Sequence, residues 1–263
     1  MEFFSGLHPV MQSFLATLFT YGVTALGAAV VFFFKGANRR LMDGLMGFGA
    51  GVMIAASFFS LLSPAVEMCS RLGQSGWLVT GVGFLLGGGF ILLGEVLLSR
   101  SSFLEAAAPH GSKRVGRCLL LIFAITLHNI PEGMAIGVAF GTVGAGGDLI
   151  GSALLALGIG LQNFPEGASV SLPLRREGVS RSKSFFFGQL SGLVEPVSAV
   201  VGCAAALLVQ GILPFLLAFS AGAMVTVVAA ELIPEASQSH KLLAAAGVTA
   251  GFCLMMMLDV GLG

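Results

Sequence analysis

The stretch Leu127-His128-Asn129-Ile130-Pro131-Glu132-Gly133 returns 34 residues later as Leu161-Gln162-Asn163-Phe164-Pro165-Glu166-Gly167. Each copy lies inside a segment apolar enough to span a bilayer, yet each brings a carboxylate and at least one amide into it. Ionisable groups at that depth are costly and by default indicate a functional site. We interpret the two copies as the halves of one metal site.

The composition places the chain among membrane proteins. Its 263 residues are 56% hydrophobic and 10% charged, and the mean hydropathy is +0.96, values typical of a chain whose partner is the lipid bilayer. The net charge of zero argues against nucleic acid as a partner. The four cysteines are scattered singly, which favours neither a zinc knuckle nor a disulfide framework.

Eight segments meet the requirement of about 20 largely apolar residues for a membrane span. Backbone polar groups find no partners in lipid, so these segments must be helices. The connections are short, which predicts an all-α polytopic membrane protein whose residues 1–263 form a single transmembrane domain. The predicted spans are 10–34, 44–66, 76–94, 118–141, 149–174, 184–209, 212–231 and 242–260.

The basic residues are distributed unevenly between alternate loops. Twelve Lys and Arg fall on one side and only Arg71 on the other. The positive-inside rule puts the first side in the cytoplasm. We therefore expect an integral protein of the cell (inner) membrane with both termini outside the cytoplasm.

A fainter internal echo relates the two ends of the chain. Ala50-Gly51-Val52-Met53 in the second span resembles Ala221-Gly222-Ala223-Met224 in the seventh, and a proline follows each, Pro64 and Pro234. Equivalent spans are then five apart and run in opposite directions. That is the inverted-repeat plan of many secondary transporters.

Both motif copies are predicted to lie near the middle of the bilayer. His128 lies about 16 Å and Gln162 about 20 Å along their helices from the nearest basic residue, at roughly 1.5 Å per residue. Because the fourth and fifth spans are antiparallel, His128 should come level with Glu166, and Glu132 with Gln162. Helical spacing also projects Glu132 between His128 and Asn129, and Glu166 between Gln162 and Asn163.

This geometry suits two bridged cations. One would use His128, Glu132, Gln162 and Glu166, and the other Asn129, Glu132, Asn163 and Glu166. Pro131 and Pro165 leave a carbonyl free in each helix, while Gly133 and Gly167 let a neighbouring helix approach. Mixed imidazole, carboxylate and amide ligands favour zinc, iron, manganese or cadmium over copper(I). The ion is expected to be a bound substrate and not a cofactor.

At these residues the chain resembles the ZIP (Zrt-, Irt-like protein) family of divalent metal transporters. The match extends through Met42-Asp43-Gly44, residues 55–62, Gly192-Leu193-Val194-Glu195-Pro196 and Glu231-Leu232-Ile233-Pro234-Glu235, and it is similar to the GufA-like branch. The resemblance implies eight helices in a 3+2+3 arrangement of two bundles, one carrying the site past the other in an elevator-like movement that takes up metal from outside.

The resemblance also implies a binuclear site that adds Glu195 to the ligands. Glu195 is independently marked as the single charged residue between 184 and 209, directly before a proline. Many relatives have His where Gln162 stands, and some have Asp where Asn163 stands. Neutral amides lower the local negative charge and weaken metal affinity.

Further polar residues lie nearer the membrane surfaces. Asp43, Glu231, Glu235 and Glu95 are close to the predicted cytoplasmic ends, where they form either an exit path or helix-end anchors. Ser57 is expected to line the outer route.

Three alternatives differ in class from a carrier. An intramembrane zinc-dependent hydrolase would need an activated water, but the chain has no His-Glu-x-x-His pair, so we expect no enzyme. A metal-selective channel would lack saturable, competitive flux. A structural metal would fail to exchange. The sequence leaves a homodimer open.

Overall fold

The computed structural model describes residues 2–33, 38–100, 113–143, 147–176 and 178–262, and every regular element in these ranges is helical. Short π-helical and 3₁₀ turns join some of the helices. The α-helices are α1 (Glu2–Ser5), α2 (Pro9–Phe33), α3 (Arg39–Ala56), α4 (Ser63–Arg71), α5 (Gly76–Arg100), α6 (Lys113–Thr142), α7 (Leu149–Arg176), α8 (Arg181–Leu190), α9 (Val194–Leu208), α10 (Leu213–Val227) and α11 (Ile233–Leu262).

Five stretches of the described chain are long and apolar enough to cross a membrane, so the protein is an all-α integral membrane protein. Two further helices, α6 and α7, are 30 and 28 residues long and carry the two motif copies. The five stretches are Pro9–Phe33, Arg39–Arg71, Gly76–Leu97, Arg181–Leu208 and Leu213–Gly261.

The stretch Leu213–Gly261 contains two of the predicted spans. Its 49 residues would extend about 70 Å as one helix, more than twice a hydrocarbon core of about 30 Å. The backbone at His240 is non-helical (φ −131°, ψ 66°) and interrupts the stretch between the two predicted spans. The sequence predicts a loop over 232–241, whereas helix continues up to His240.

Four helix pairs make the most extensive packing: α2 with α7, α6 with α9, α3 with α11, and α5 with α10. Contacts of α2 with α9 join the first pair to the second, and contacts of α10 with the turn Ser57–Leu62 join the third pair to the fourth, while α3 with α7 and α6 with α10 are in contact between these two groups. We define bundle A as α2, α6, α7, α8 and α9, and bundle B as α3, α4, α5, α10 and α11. In the order of the predicted spans, these helices are α2 (first), α3 with α4, α5, α6, α7, α8 with α9, α10 and α11 (eighth). The same four pairs result when the first span is exchanged with the sixth, the second with the seventh, the third with the eighth and the fourth with the fifth.

The glycines that end the two motif copies bring the helices of bundle A together. A Cβ at Gly133 would overlap the backbone carbonyl oxygen of Glu195, and one at Gly167 would overlap that of Thr24. Small residues at helix contacts allow such close approach in membranes. Both glycines therefore act as predicted, each against a different neighbour.

Two π-helical turns, Ser57–Leu62 and Val228–Leu232, lie in equivalent places in bundle B. Each begins seven residues after the first alanine of the echoed tetrapeptide and ends just before a proline, Pro64 or Pro234. Proline has no N–H to donate four residues back, which disrupts the α-helical pattern at that place. In both turns the residue before the proline donates five residues back instead.

Candidate metal centre

Facing parts of α6 and α7 bring the repeated motifs together inside bundle A. Their polar side chains are buried, with exposed fractions from 0% for Asn129 and Asn163 to 9% for Glu166. Glu195, on α9, is also fully buried. The side chain of His128 lies outside the described residues. The charge of Glu132 faces those of Glu166 and Glu195, and its carboxyl group also lies beside the Gln162 side chain.

Asn129 anchors α6 to the break before α9. Its Nδ2 donates to the backbone carbonyl of Ser191 at 2.9 Å. Residues Ser191–Leu193 form a 3₁₀ turn, whose tighter pattern leaves carbonyls of the preceding turn available for other donors. The break that positions Glu195 in the first turn of α9 thus also provides a partner for the first motif.

Thr20 of α2 belongs to the site although it lies outside the repeated motifs. Its hydroxyl donates to Glu195 Oε2, and its backbone carbonyl accepts from Asn163 Nδ2 at 3.3 Å. Asn163 Nδ2 also donates to Glu195 Oε1 at 2.8 Å. The signal in the sequence is a row of buried hydroxyl side chains, Thr17, Thr20 and Thr24, at helical spacing on an otherwise apolar span.

Gln162 lies between the two glutamates of the motifs. Its Nε2 donates to Asn163 Oδ1 at 2.7 Å and lies 3.4 Å from Glu166 Oε2. Both polar atoms of the Asn163 side chain are therefore engaged. Gln162 and Asn163 form a continuous chain of contacts from Glu166 to Glu195.

Three buried oxygens at the motifs have no hydrogen-bond partner among the residues that the structure describes: Asn129 Oδ1, Glu132 Oε2 and Glu166 Oε1. A buried acceptor without a donor is destabilising by about 1–3 kcal/mol, and more when it is charged. Carboxylate and amide oxygens are also suitable ligands for a divalent ion. The site thus combines unpartnered acceptors with the chemistry that a cation would satisfy.

Carboxylates alone do not complete the site. Among the described side chains, no three His, Cys, Asp or Glu residues form a group that could hold a metal ion. Amide oxygens from the motifs must therefore contribute to any ion site built from the described side chains.

A cavity of about 150 Å³ lies at one end of the molecule, lined by residues of α3, α7 and α11. Asp43 and Glu235 line it, together with Ser169, three residues beyond Glu166. Asp43 Oδ2 accepts from the backbone N–H of His240 at 3.0 Å and lies 2.9 Å from its ring Nδ1. Asp43 thereby holds the break in the Leu213–Gly261 stretch. Glu231, in the second π-helical turn, lies close enough for its charge to act on Glu166.

A second cavity, of about 370 Å³, lies at the opposite end. Its lining includes the end of α6 at Thr142, the start of α7 and the end of α11 at Asp259. Buried apolar side chains, among them Ile136 and Phe140, pack between Glu132 and this cavity along α6. Ser57 is buried and donates to the Met53 carbonyl at 2.7 Å, and it does not line this cavity.

Comparisons with known proteins give the family of the chain. Residues 104–259 match the sequence model of the family described as ZIP Zinc transporter. The chain is 40% identical to Zinc transporter ZIP11 of Xenopus tropicalis, over 98% of this chain and 99% of the relative. It is 38% identical to Zinc transporter GufA of Myxococcus xanthus (95% and 98%) and 36% identical to Zinc transporter ZIPB of Bordetella bronchiseptica (92% and 79%). The chain belongs to the ZIP family and is similar to its GufA-like branch.

Proposed function

We propose that this protein transports divalent transition-metal ions, above all Zn²⁺, across the cell membrane toward the cytoplasm. The observation that carries the proposal is the set of unpartnered oxygens of Asn129, Glu132 and Glu166, buried where the two motif copies face each other. These acceptors are buried and receive no hydrogen bond from the described residues, and a divalent ion would satisfy all three. The named activities of the relatives support zinc as the substrate.

The proposed site holds up to two ions. Glu132 and Glu166 bridge them, with His128 and Gln162 completing one position and Asn129, Asn163 and Glu195 the other. The neutral donors keep the affinity moderate, which a transported ion needs because it must leave the site.

We propose that the eight predicted spans adopt the 3+2+3 inverted-repeat arrangement and that transport is elevator-like. Bundle A carries every proposed ligand, whereas bundle B carries Asp43, Ser57, Glu231 and Glu235. The exchange symmetry of the helix pairing supports two equivalent halves. Movement of bundle A along bundle B would carry the ion between the two cavities.

The direction of the path follows from the linings of the cavities. The Asp43 cavity includes Arg39 and Pro173, close to the basic connections assigned to the cytoplasm, and it begins one turn beyond Glu166. Asp43, Glu231 and Glu235 are proposed to receive the ion there. The opposite cavity, with Asp148 and Asp259 in its lining, is proposed as the outer vestibule, and the apolar layer at Ile136 and Phe140 closes it from the site.

Uptake of Zn²⁺ by proteoliposomes tests this function. Glu132→Ala and Glu166→Ala should abolish uptake, because each removes a bridging ligand. Thr249→Ala, on α11, is the control, since Thr249 is exposed and its hydroxyl donates to the Ala245 carbonyl of its own helix. Wild-type flux in either of the first two variants would remove the basis of the site. Saturation, and competition by Cd²⁺, would distinguish a carrier from a channel.

A further inference from the structure

We propose that Thr20 is a positioning residue that holds Glu195 away from the second ion position and so makes that position the weaker of the two. This inference rests on the proposed function and concerns the order in which ions bind. It assigns to α2, which contributes no proposed ligand, control over how readily the second position fills.

The two motif copies make equivalent contacts with their neighbouring helices. Asn129 donates to the Ser191 carbonyl on one neighbour, and Asn163 donates to the Thr20 carbonyl on the other. In the same way, Gly133 packs against Glu195, four residues after Ser191, and Gly167 packs against Thr24, four residues after Thr20. Ser191 and Thr20 are therefore equivalent positions in the two halves.

The equivalence ends at the side chains around Glu195. Both carboxylate oxygens of Glu195 are hydrogen-bonded, Oε2 by the Thr20 hydroxyl and Oε1 by Asn163 Nδ2. The oxygen of Asn163 is engaged by Gln162, while that of Asn129 has no partner among the described residues. The free acceptors thus lie on Asn129, Glu132 and Glu166, whereas the oxygens of Glu195 and Asn163 are all engaged.

An ion must displace existing hydrogen bonds at the second position but not at the first. An ion held by Glu132 and Glu166 through their free oxygens displaces no donor. An ion that uses Glu195 and Asn163 must first separate hydrogen bonds to a charged group, and such bonds are stronger than bonds between neutral groups. The first ion should therefore bind without Glu195, and the second should bind only when Glu195 leaves Thr20.

The Thr20 hydroxyl can be removed without changing the fold of α2. It also lies 3.0 Å from the Thr17 carbonyl, which as part of a helix already accepts a backbone N–H. Valine at position 20 therefore leaves only Glu195 Oε2 short of a donor. A buried carboxylate oxygen left in this way gains a cation more readily.

The experiment is Zn²⁺ binding to the full-length protein in detergent, measured by equilibrium dialysis over a range of free Zn²⁺. The wild type should show two unequal dissociation constants. Thr20→Val should tighten the second about tenfold or more, the factor expected for losing a hydrogen bond to a charged group, and should leave the first within about threefold. Thr20→Ser keeps the hydroxyl and should restore the wild-type isotherm.

Thr17→Val is the matched control, because Thr17 is buried on the same helix and, within the described part of the chain, its hydroxyl donates to backbone carbonyls of its own helix. Thr20→Ala is a second hydroxyl-free variant should Thr20→Val fail to fold. An unchanged second constant in the hydroxyl-free variants, or equal constants in the wild type, would overturn the role of Thr20. Absence of any bound Zn²⁺ in the wild type would instead overturn the proposed function.

Discussion

At the scale of single residues, the two asparagines of the repeated motif differ in what their side-chain oxygens contact. Asn129 Oδ1 is buried and accepts from none of the described residues, whereas Asn163 Oδ1 accepts from Gln162. Each is the third residue of its motif copy and precedes a proline by two. What separates them is Gln162, which stands where the first copy has His128, and Glu195, which meets Asn163 only in the folded protein.

We expect Asn129→Ala to reduce Zn²⁺ uptake more than Asn163→Ala. The first variant loses a free ligand oxygen and should raise KM about tenfold or more, by analogy with the loss of a bond to a charged group. The second loses an oxygen that is already engaged, and it should change only the rate or the selectivity among metals. Initial uptake rates at varied Zn²⁺ measure both, and equal losses in the two variants would contradict the assignment.

At the scale of helices, the sequence predicts what depends on spacing along one helix and misses what depends on a neighbour. The pairing of Glu132 with Glu166 follows from two copies on adjacent antiparallel spans. Thr20 was not predicted, because a threonine in an apolar helix usually bonds its own backbone, and its contact with Glu195 joins residues 175 positions apart. The break at His240 involves, in the same way, a distant side chain, that of Asp43.

Gly133→Ala and Gly167→Ala should each destabilise bundle A. The added methyl group meets backbone atoms of the neighbouring helix, and backbone cannot rotate away, so we expect a cost of about 1–3 kcal/mol or more. Gly22→Ala, on α2, is the control because a Cβ there meets nothing within 4 Å. Thermal unfolding in detergent should show a lower midpoint for the first two variants only. Unchanged midpoints would show that the helices are not in close contact.

At the scale of the whole molecule, the division into two bundles places the ligands and the residues proposed for the path on different bodies. α3 packs against α7 across this boundary. A Cβ at Gly158 of α7 would lie 3.3 Å from Cγ1 of Val52 of α3. Two cysteines at these positions are therefore within reach of the Cβ separation of about 3.5–4.5 Å that a disulfide needs.

In a background without native cysteines, Gly158→Cys with Val52→Cys should lose Zn²⁺ uptake on oxidation and regain it on reduction, because the bond ties bundle A to bundle B. Gly44→Cys with Leu243→Cys is the control, since it joins α3 to α11 within bundle B, where a Cβ at Gly44 lies 3.4 Å from Leu243 Cγ. Uptake that survives a complete cross-link between the bundles would favour a channel over the elevator-like movement.

The two π-helical turns of bundle B have a further consequence for side-chain direction. A π-helical turn accommodates an extra residue, and one residue corresponds to a rotation of about 100° around a helix axis. Upstream of the first turn, Gly49 faces Gln162, and downstream of it Glu67 lines the cavity of about 370 Å³. Downstream of the second, Glu235 faces the opposite cavity. Deleting one residue from either turn would rotate the acidic side chain that follows it away from its cavity. Each turn therefore sets the angle between the helix face that packs against a neighbour and the face that lines a cavity.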